Sequence, residues 1–115
     1  MHIKLDKEYE VKVTLGTIRD IERIFDKSFF DVINMVATMK IEEQIKLLYI
    51  GVKKANPDMT EKSFSDLCDD NLGLAELIET LEKYLFALQF PGLTEAEVEE
   101  KLAKKPSGTG KAKAG

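Results

Sequence analysis

The sequence is poor in the residues that carry most catalytic and metal-binding chemistry. It has a single cysteine, Cys68, and a single histidine, His2, in 115 residues. One cysteine excludes a disulfide within the chain and fits a reducing compartment. Cys68 has no histidine near it in the sequence, so we interpret it as a small core residue of a helix. We predict neither a nucleophilic cysteine nor a histidine metal ligand.

Motifs that hold phosphates, metals or nucleophiles are also missing. The sequence has no glycine-rich phosphate loop, nucleophile elbow or zinc-ligand spacing. The acidic segment 66–79 resembles a calcium loop only faintly, because Cys68 and Leu72 would occupy positions that need oxygen ligands. We therefore expect no catalytic residues, no cofactor and no metal, and we predict that the protein is not an enzyme.

Long apolar runs are absent too. No stretch approaches the roughly 20 apolar residues that a membrane helix needs. The first ten residues, MHIKLDKEYE, lack the apolar stretch of a signal peptide. We expect a protein that does not enter a membrane and that stays in the cell that makes it.

The charge is distributed unevenly along the chain. Seventeen Lys and Arg oppose 21 Asp and Glu, which gives a formal net charge of −4. Four of the lysines fall in 104–115, a segment without acids, so the remainder carries 13 basic and 21 acidic side chains, or −8. An acidic body argues against a phosphate backbone as the main partner, so we expect no nucleic-acid binding. We interpret the basic segment as a solubilising or linker tail.

Hydrophobic periodicity predicts a mainly α fold, with a short N-terminal β-hairpin followed by a bundle of five to six helices. Residues 2–13 alternate between apolar and polar, as in a hairpin with one buried face. From Leu15 the spacing changes to three and four residues, as on helices with one apolar stripe. The predicted stripes of the first five helices are Leu15, Ile18, Ile21, Ile24 and Phe25; Phe29, Val32, Ile33 and Val36; Ile41, Ile45, Leu48, Tyr49 and Val52; Phe64, Leu67 and Cys68; and Leu74, Leu77, Ile78, Leu81, Tyr84, Leu85 and Leu88.

Capping residues and prolines predict where the helices begin and end, at Thr14, Ser28, Thr60, Asn56-Pro57 and Pro91-Gly92. Thr94 and Glu97 form a capping box before a last helix that has few apolar anchors. We therefore predict a single helical domain with an N-terminal hairpin over residues 1–103. Residues 104–115, rich in Lys, Gly and Ala, are predicted to be a disordered tail.

Two phenylalanines do not fit the stripe of the fifth helix. Phe86 and Phe90 are four residues apart and fall nearly opposite that stripe, side by side on the face that should be wet. Either the hairpin or the last helix folds over them, or they form an exposed patch that meets a partner or another copy of the chain. Burial of two Phe would supply roughly 3–6 kcal/mol before costs, which suits a reversible complex.

Three further residues are candidates for partner binding. Leu93 follows the pair and would extend its surface. Phe29 and Phe30 are a second choice, because adjacent helical residues cannot both face one core and one of them must be displaced.

The layout of the chain resembles a known protein family. A hairpin of the form IKLDKEYEVKVTLGTIRDIERIF leads into a helix, followed by FFDVINMVATM and by a helix of the form IEEQIKLLYIGVKKANPDMTEKSFSDLCDD. This order, over roughly residues 2–90, resembles the tail assembly chaperones of long-tailed bacteriophages and prophages, especially those of Gram-positive hosts. It rests on pattern and order rather than on an invariant motif.

The resemblance implies a non-catalytic role in the assembly of phage tails. Such proteins bind the long, helix-rich tape measure protein, keep its apolar surface from aggregating and help recruit tail tube subunits. The implied location is the cytoplasm of the host bacterium, and the protein is absent from the mature virion. Self-association is compatible with this role, since a chaperone that coats a long client binds in many copies.

Other functions stay open from the sequence alone. The main alternative is a small helical interaction or adaptor module without a phage role. A DNA-binding regulator is a weaker alternative, because Arg19 and Arg23 are the only arginines and share the first helix with Asp20 and Glu22. Gene neighbourhood separates the first alternative from a tail chaperone, and salt-dependent binding of duplex DNA would support the second.

Overall fold

The computed structural model describes residues 1–104, apart from the side chains of Glu95, Ala103 and Lys104. It confirms a mainly helical fold that begins with a two-stranded antiparallel hairpin, β1 (His2–Lys4) and β2 (Glu8–Glu10). Six α-helices follow within the described residues: α1 (Leu15–Phe25), α2 (Phe29–Met35), α3 (Ile41–Ala55), α4 (Glu61–Asn71), α5 (Leu74–Gln89) and α6 (Glu95–Lys104). A short 3-10 turn, Val36–Thr38, links α2 to α3. Apart from Lys104, the tail predicted to be disordered lies outside the described residues.

The hairpin is fixed to α3 as well as to itself. Ile3 pairs with Tyr9 across the two strands. Beyond the strands, the N–H of Lys12 donates to the carbonyl of Gly51 at 3.0 Å. The side-chain amide of Asn56 donates to the carbonyl of Glu10, also at 3.0 Å. The hairpin therefore closes one side of the helical bundle.

Threonine caps form where the sequence predicts them. Thr14 and Thr60 each accept a hydrogen bond from the backbone N–H three residues on, at 3.2 Å and 3.1 Å. Such caps satisfy N–H groups that have no partner within the helix. At the other end of α1, Asp26 closes the helix in the left-handed region, with φ 55.

The core is formed by α1 to α5 together with the hairpin. Gly51 marks the crossing of α3 and α5. A Cβ at this position would stand 2.7 Å from Cε1 of Tyr84 and 2.8 Å from a methyl of Val11. The glycine is needed because three elements meet there with no room for a side chain.

Four residues of the predicted stripes are exposed rather than buried, and for these the stripe assignment was wrong. They are Leu15 and Ile24 in α1, Ile41 at the start of α3 and Leu74 at the start of α5. In α1 the buried residues are Thr17 and Ile21. The hydroxyl of Thr17 donates to the carbonyl of Lys12 at 2.9 Å and turns that side of α1 inward.

Candidate protein-binding surfaces

Phe86 and Phe90 form an aromatic pair on the outer side of α5. Their ring centroids lie 5.0 Å apart and their planes are inclined by 43°. Phe86 is half-buried, whereas Phe90 is 50% exposed. Among the described residues, neither belongs to the buried core or to the partly buried side chains that pack against it. The two rings therefore contact each other outside the core, and Phe90 keeps apolar area available.

Helix α6 covers part of the outer side of α5, next to this pair. Val98 of α6 and Ala87 of α5 are both buried. Lys83 and Glu99 join the two helices with an ion pair at 3.3 Å. The capping box that starts α6 is present: Glu97 N–H donates to Thr94 Oγ1 at 3.1 Å, and Thr94 N–H donates to Glu97 Oε1 at 2.9 Å. This hydrogen bonding holds the pKa of Glu97 below its ordinary value.

Leu93 lies in the turn between α5 and α6. Its N–H donates to the carbonyl of Phe90 at 3.1 Å, which continues the chain tightly out of the helix. The side chain is half-buried and lines a cavity of about 280 Å³ between the hairpin and α6. Leu93 is therefore less available to a partner than Phe90 is.

The second pair, Phe29 and Phe30, is divided between the core and the surface. Phe29 is buried in the core, and Phe30 is 67% exposed. The two rings meet edge to face, with centroids 5.9 Å apart. Of these two candidates, Phe30 is the one whose apolar surface is exposed to a partner.

Sequence reasoning missed a further apolar surface at the other end of α5. Ile41 and Leu74 line an open depression between the start of α3, the end of α4 and the start of α5. Their spacing matches the buried stripes of their helices, so the sequence assigns both to the core. Only the positions of the neighbouring helices reveal that they are left uncovered.

Cys68 and the acidic side chains are of residue types that can serve as nucleophiles or metal ligands. Burial, with a smaller contribution from the charge of Asp69, raises the pKa of the Cys68 thiol to about 12. The thiol is thus held in its protonated, unreactive form. Within residues 1–104, no group of three or more His, Cys, Asp or Glu is arranged to hold a metal ion.

In the described part of the chain, no helix combines the length and the apolarity that crossing a bilayer requires. Comparisons with protein-family models, with curated proteins and with solved structures returned no match to this chain.

Proposed function

We propose that this protein is a tail assembly chaperone of a long-tailed phage or prophage. In this role it binds the helix-rich tape measure protein, prevents its aggregation and helps recruit tail tube subunits. It works in the cytoplasm of the host bacterium and leaves before the virion is complete. The proposal rests on the order of elements over residues 2–90 and on an apolar surface that a helical client can cover.

The observation that carries the proposal is the aromatic pair Phe86 and Phe90. The rings stand 5.0 Å apart outside the core, and Phe90 is 50% exposed. Such residues can lie along the apolar stripe of a bound helix. Full burial of a Phe contributes about 1.5–3 kcal/mol, and part of Phe86 is already covered. The binding of the client is therefore of moderate strength, which suits a client that must later be released.

The experiment is co-expression with the long helical protein encoded next to this chain, followed by pull-down and sedimentation. The client is expected to be soluble only when this chain is present. The double variant Phe86→Ser/Phe90→Ser is expected to weaken the pull-down by at least about tenfold while its helical circular dichroism stays unchanged.

Leu15→Ser is the matched control. Leu15 is also an exposed apolar residue, but it lies on α1, so this variant is expected to bind the client as the original chain does. A neighbouring protein that is equally soluble alone, or the lack of any such gene, contradicts the chaperone proposal and favours a helical interaction module. Unfolding of the double variant instead assigns the pair to structure rather than to client binding.

A further inference from the structure

The start of α5 carries a surface of a different kind from the aromatic pair at its end. Ile41 and Leu74 are 51% and 60% exposed, and both line an open depression of about 330 Å³. Buried core residues, among them Ile45 and Leu77, also line it. The apolar stripes of α3 and α5 thus extend beyond the core. At the start of each helix the stripe has an uncovered aliphatic side chain, Ile41 or Leu74.

A second depression adjoins the first, because Ile45 lines both. It lies between α3 and α4, and we refer to the two depressions together as the α3–α4 groove. Its charged lining residues are four carboxylates, those of Glu42, Glu61, Asp66 and Asp69, and one ammonium, that of Lys62. Lys62 is itself paired with Asp66 at 3.1 Å. The edge of the groove is therefore strongly negative.

We infer that the α3–α4 groove is a docking site for an amphipathic helix of a partner protein, with Lys or Arg on both sides of its apolar stripe. The apolar lining and the rim residues Ile41 and Leu74 accept alkyl side chains of such a helix. The surrounding carboxylates match its cations and disfavour an acidic helix of the same shape. This inference does not depend on the proposed function, because it concerns another surface and another kind of contact.

The chain's own basic segment fits the groove less well than a partner helix does. Residues 105–115 contain three lysines, which suit the carboxylates. Their apolar side chains are limited to one proline and two alanines, so they cannot fill the space between Ile41 and Leu74. A basic helix that also has larger apolar side chains matches both the charge and the shape of the groove.

The groove and the aromatic pair are separate enough to be tested independently. Leu74 starts α5 and Phe90 follows its last residue, so the two are about 24 Å apart at 1.5 Å per residue. Substitutions at one end therefore leave the contacts of the other end in place.

The test uses the full chain and a labelled synthetic helix of about 18 residues, long enough to span the groove, with a leucine stripe flanked by lysines. A second helix carries glutamate in place of every lysine. Anisotropy titrations are expected to show binding of the lysine helix alone. Ile41→Ser or Leu74→Ser is expected to weaken that binding by about tenfold. Glu42→Gln with Asp69→Asn is expected to weaken it and to reduce its dependence on salt.

The controls are Leu15→Ser and Ile24→Ser, two exposed apolar residues of α1, and both variants are expected to bind the lysine helix as the original chain does. Equal binding of the glutamate helix, or an equal loss in either control, overturns the inference. A third variant changes Lys105, Lys111 and Lys113 to Gln. If it binds the lysine helix about tenfold more tightly than the original chain does, the groove is assigned to the chain's own tail. Self-association that Ile41→Ser abolishes in sedimentation would assign it to a second copy.

Discussion

The inner and outer sides of α5 use aromatic residues in opposite ways. On the inner side, Tyr84 is fully buried and packs against Gly51 and Val11 so closely that no Cβ fits between them. On the outer side, Phe86 and Phe90 contact each other, and half of the Phe90 side chain stays exposed. The inner contact depends on close packing at Gly51, and an added methyl group there would disrupt it. The outer contact lies outside the core, so we expect it to tolerate substitution with little effect on the fold.

The electrostatics follow the same division. Burial raises the pKa of Tyr84, an effect that the backbone of Gly51 partly offsets. Near this crossing, Asp20 of α1 binds Lys54 of α3 at 2.8 Å. The outer side has the exposed capping box of α6 instead. The Asp20–Lys54 ion pair thus braces the inner side within the bundle, and the capping box braces the outer side at a helix end. Each of these interactions can be removed on its own.

The largest effect is expected from Gly51→Ala, which adds one methyl group to the inner crossing. The new Cβ would stand 2.7 Å from the Tyr84 ring and 2.8 Å from a Val11 methyl. Relief requires α3, α5 or the hairpin to shift, at a typical cost of about 1–3 kcal/mol in the free energy of unfolding. Urea unfolding followed by circular dichroism measures this loss.

Gly16→Ala is the matched control for that substitution. Gly16 also lies inside a helix, but the nearest atom to its added Cβ is Thr14 Oγ1 at 3.5 Å, an ordinary contact. Alanine is expected to stabilise α1 there by up to about 1 kcal/mol through its helix propensity. Two losses of similar size would contradict the close crossing, because propensity alone favours alanine at both positions.

A smaller effect is expected from the brace between α1 and α3. The hydrogen bond from Lys54, and then that from Arg23, hold the pKa of Asp20 below its ordinary value. A lowered folded-state pKa means that the stabilisation is present above the unfolded-state pKa and is lost as the pH falls through the folded one. Asp20→Asn is expected to cost less than about 1 kcal/mol near neutral pH, because the pair is partly exposed.

Urea unfolding at about pH 7 and about pH 3, on either side of the ordinary Asp pKa of about 3.9, tests this brace. The original chain is expected to lose more stability between the two than Asp20→Asn does. Lys54→Gln should behave as Asp20→Asn does, since it removes the main partner. Parallel losses in all three chains would show that Asp20 does not brace the crossing.

The smallest effect is expected on the outer side, from removal of the cap of α6. Thr94→Ala leaves the Glu97 N–H, in the first turn of α6, without its side-chain partner. Backbone amides of α6 are expected to exchange about fivefold faster, while the unfolding midpoint of the rest of the domain stays unchanged. Thr60→Ala is the comparison, because it uncaps α4, whose Phe64 is fully buried. That variant should lower the midpoint, and an equal fall with Thr94→Ala would show that α6 unfolds with the core.

Much of the fold could be predicted because local signals agree with one another. The limits of α3, Ile41 to Ala55, follow from its stripe and from the proline after Asn56. The caps at Thr14 and Thr60 form as their residue types predict. Periodicity also identified Phe86 and Phe90 as residues outside the core stripe, and the structure keeps them outside the core.

The second surface could not be predicted, because periodicity gives the direction of a side chain but not the extent of its neighbours. Ile41 and Leu74 point along the same stripes as buried residues, yet both begin a helix, where the packing partners stop. Leu15 is exposed for a related reason, since the chain enters α1 with Thr17 bonded to Lys12. The close crossing had one sequence signal that the prediction did not use, Gly51 in the interior of α3, and an isolated glycine in a helix does not identify what packs against it.

The meeting of Val11, Gly51 and Tyr84 also has a consequence for synthesis on the ribosome. The three residues are far apart in the chain and are made in that order, so this crossing cannot be completed until α5 has left the exit tunnel. Until then, the apolar faces of α1 and α3 are exposed to other nascent chains. The protein therefore completes its core only after α5 has been made, and slowing synthesis just before Tyr84 would lengthen the period in which it is prone to aggregate.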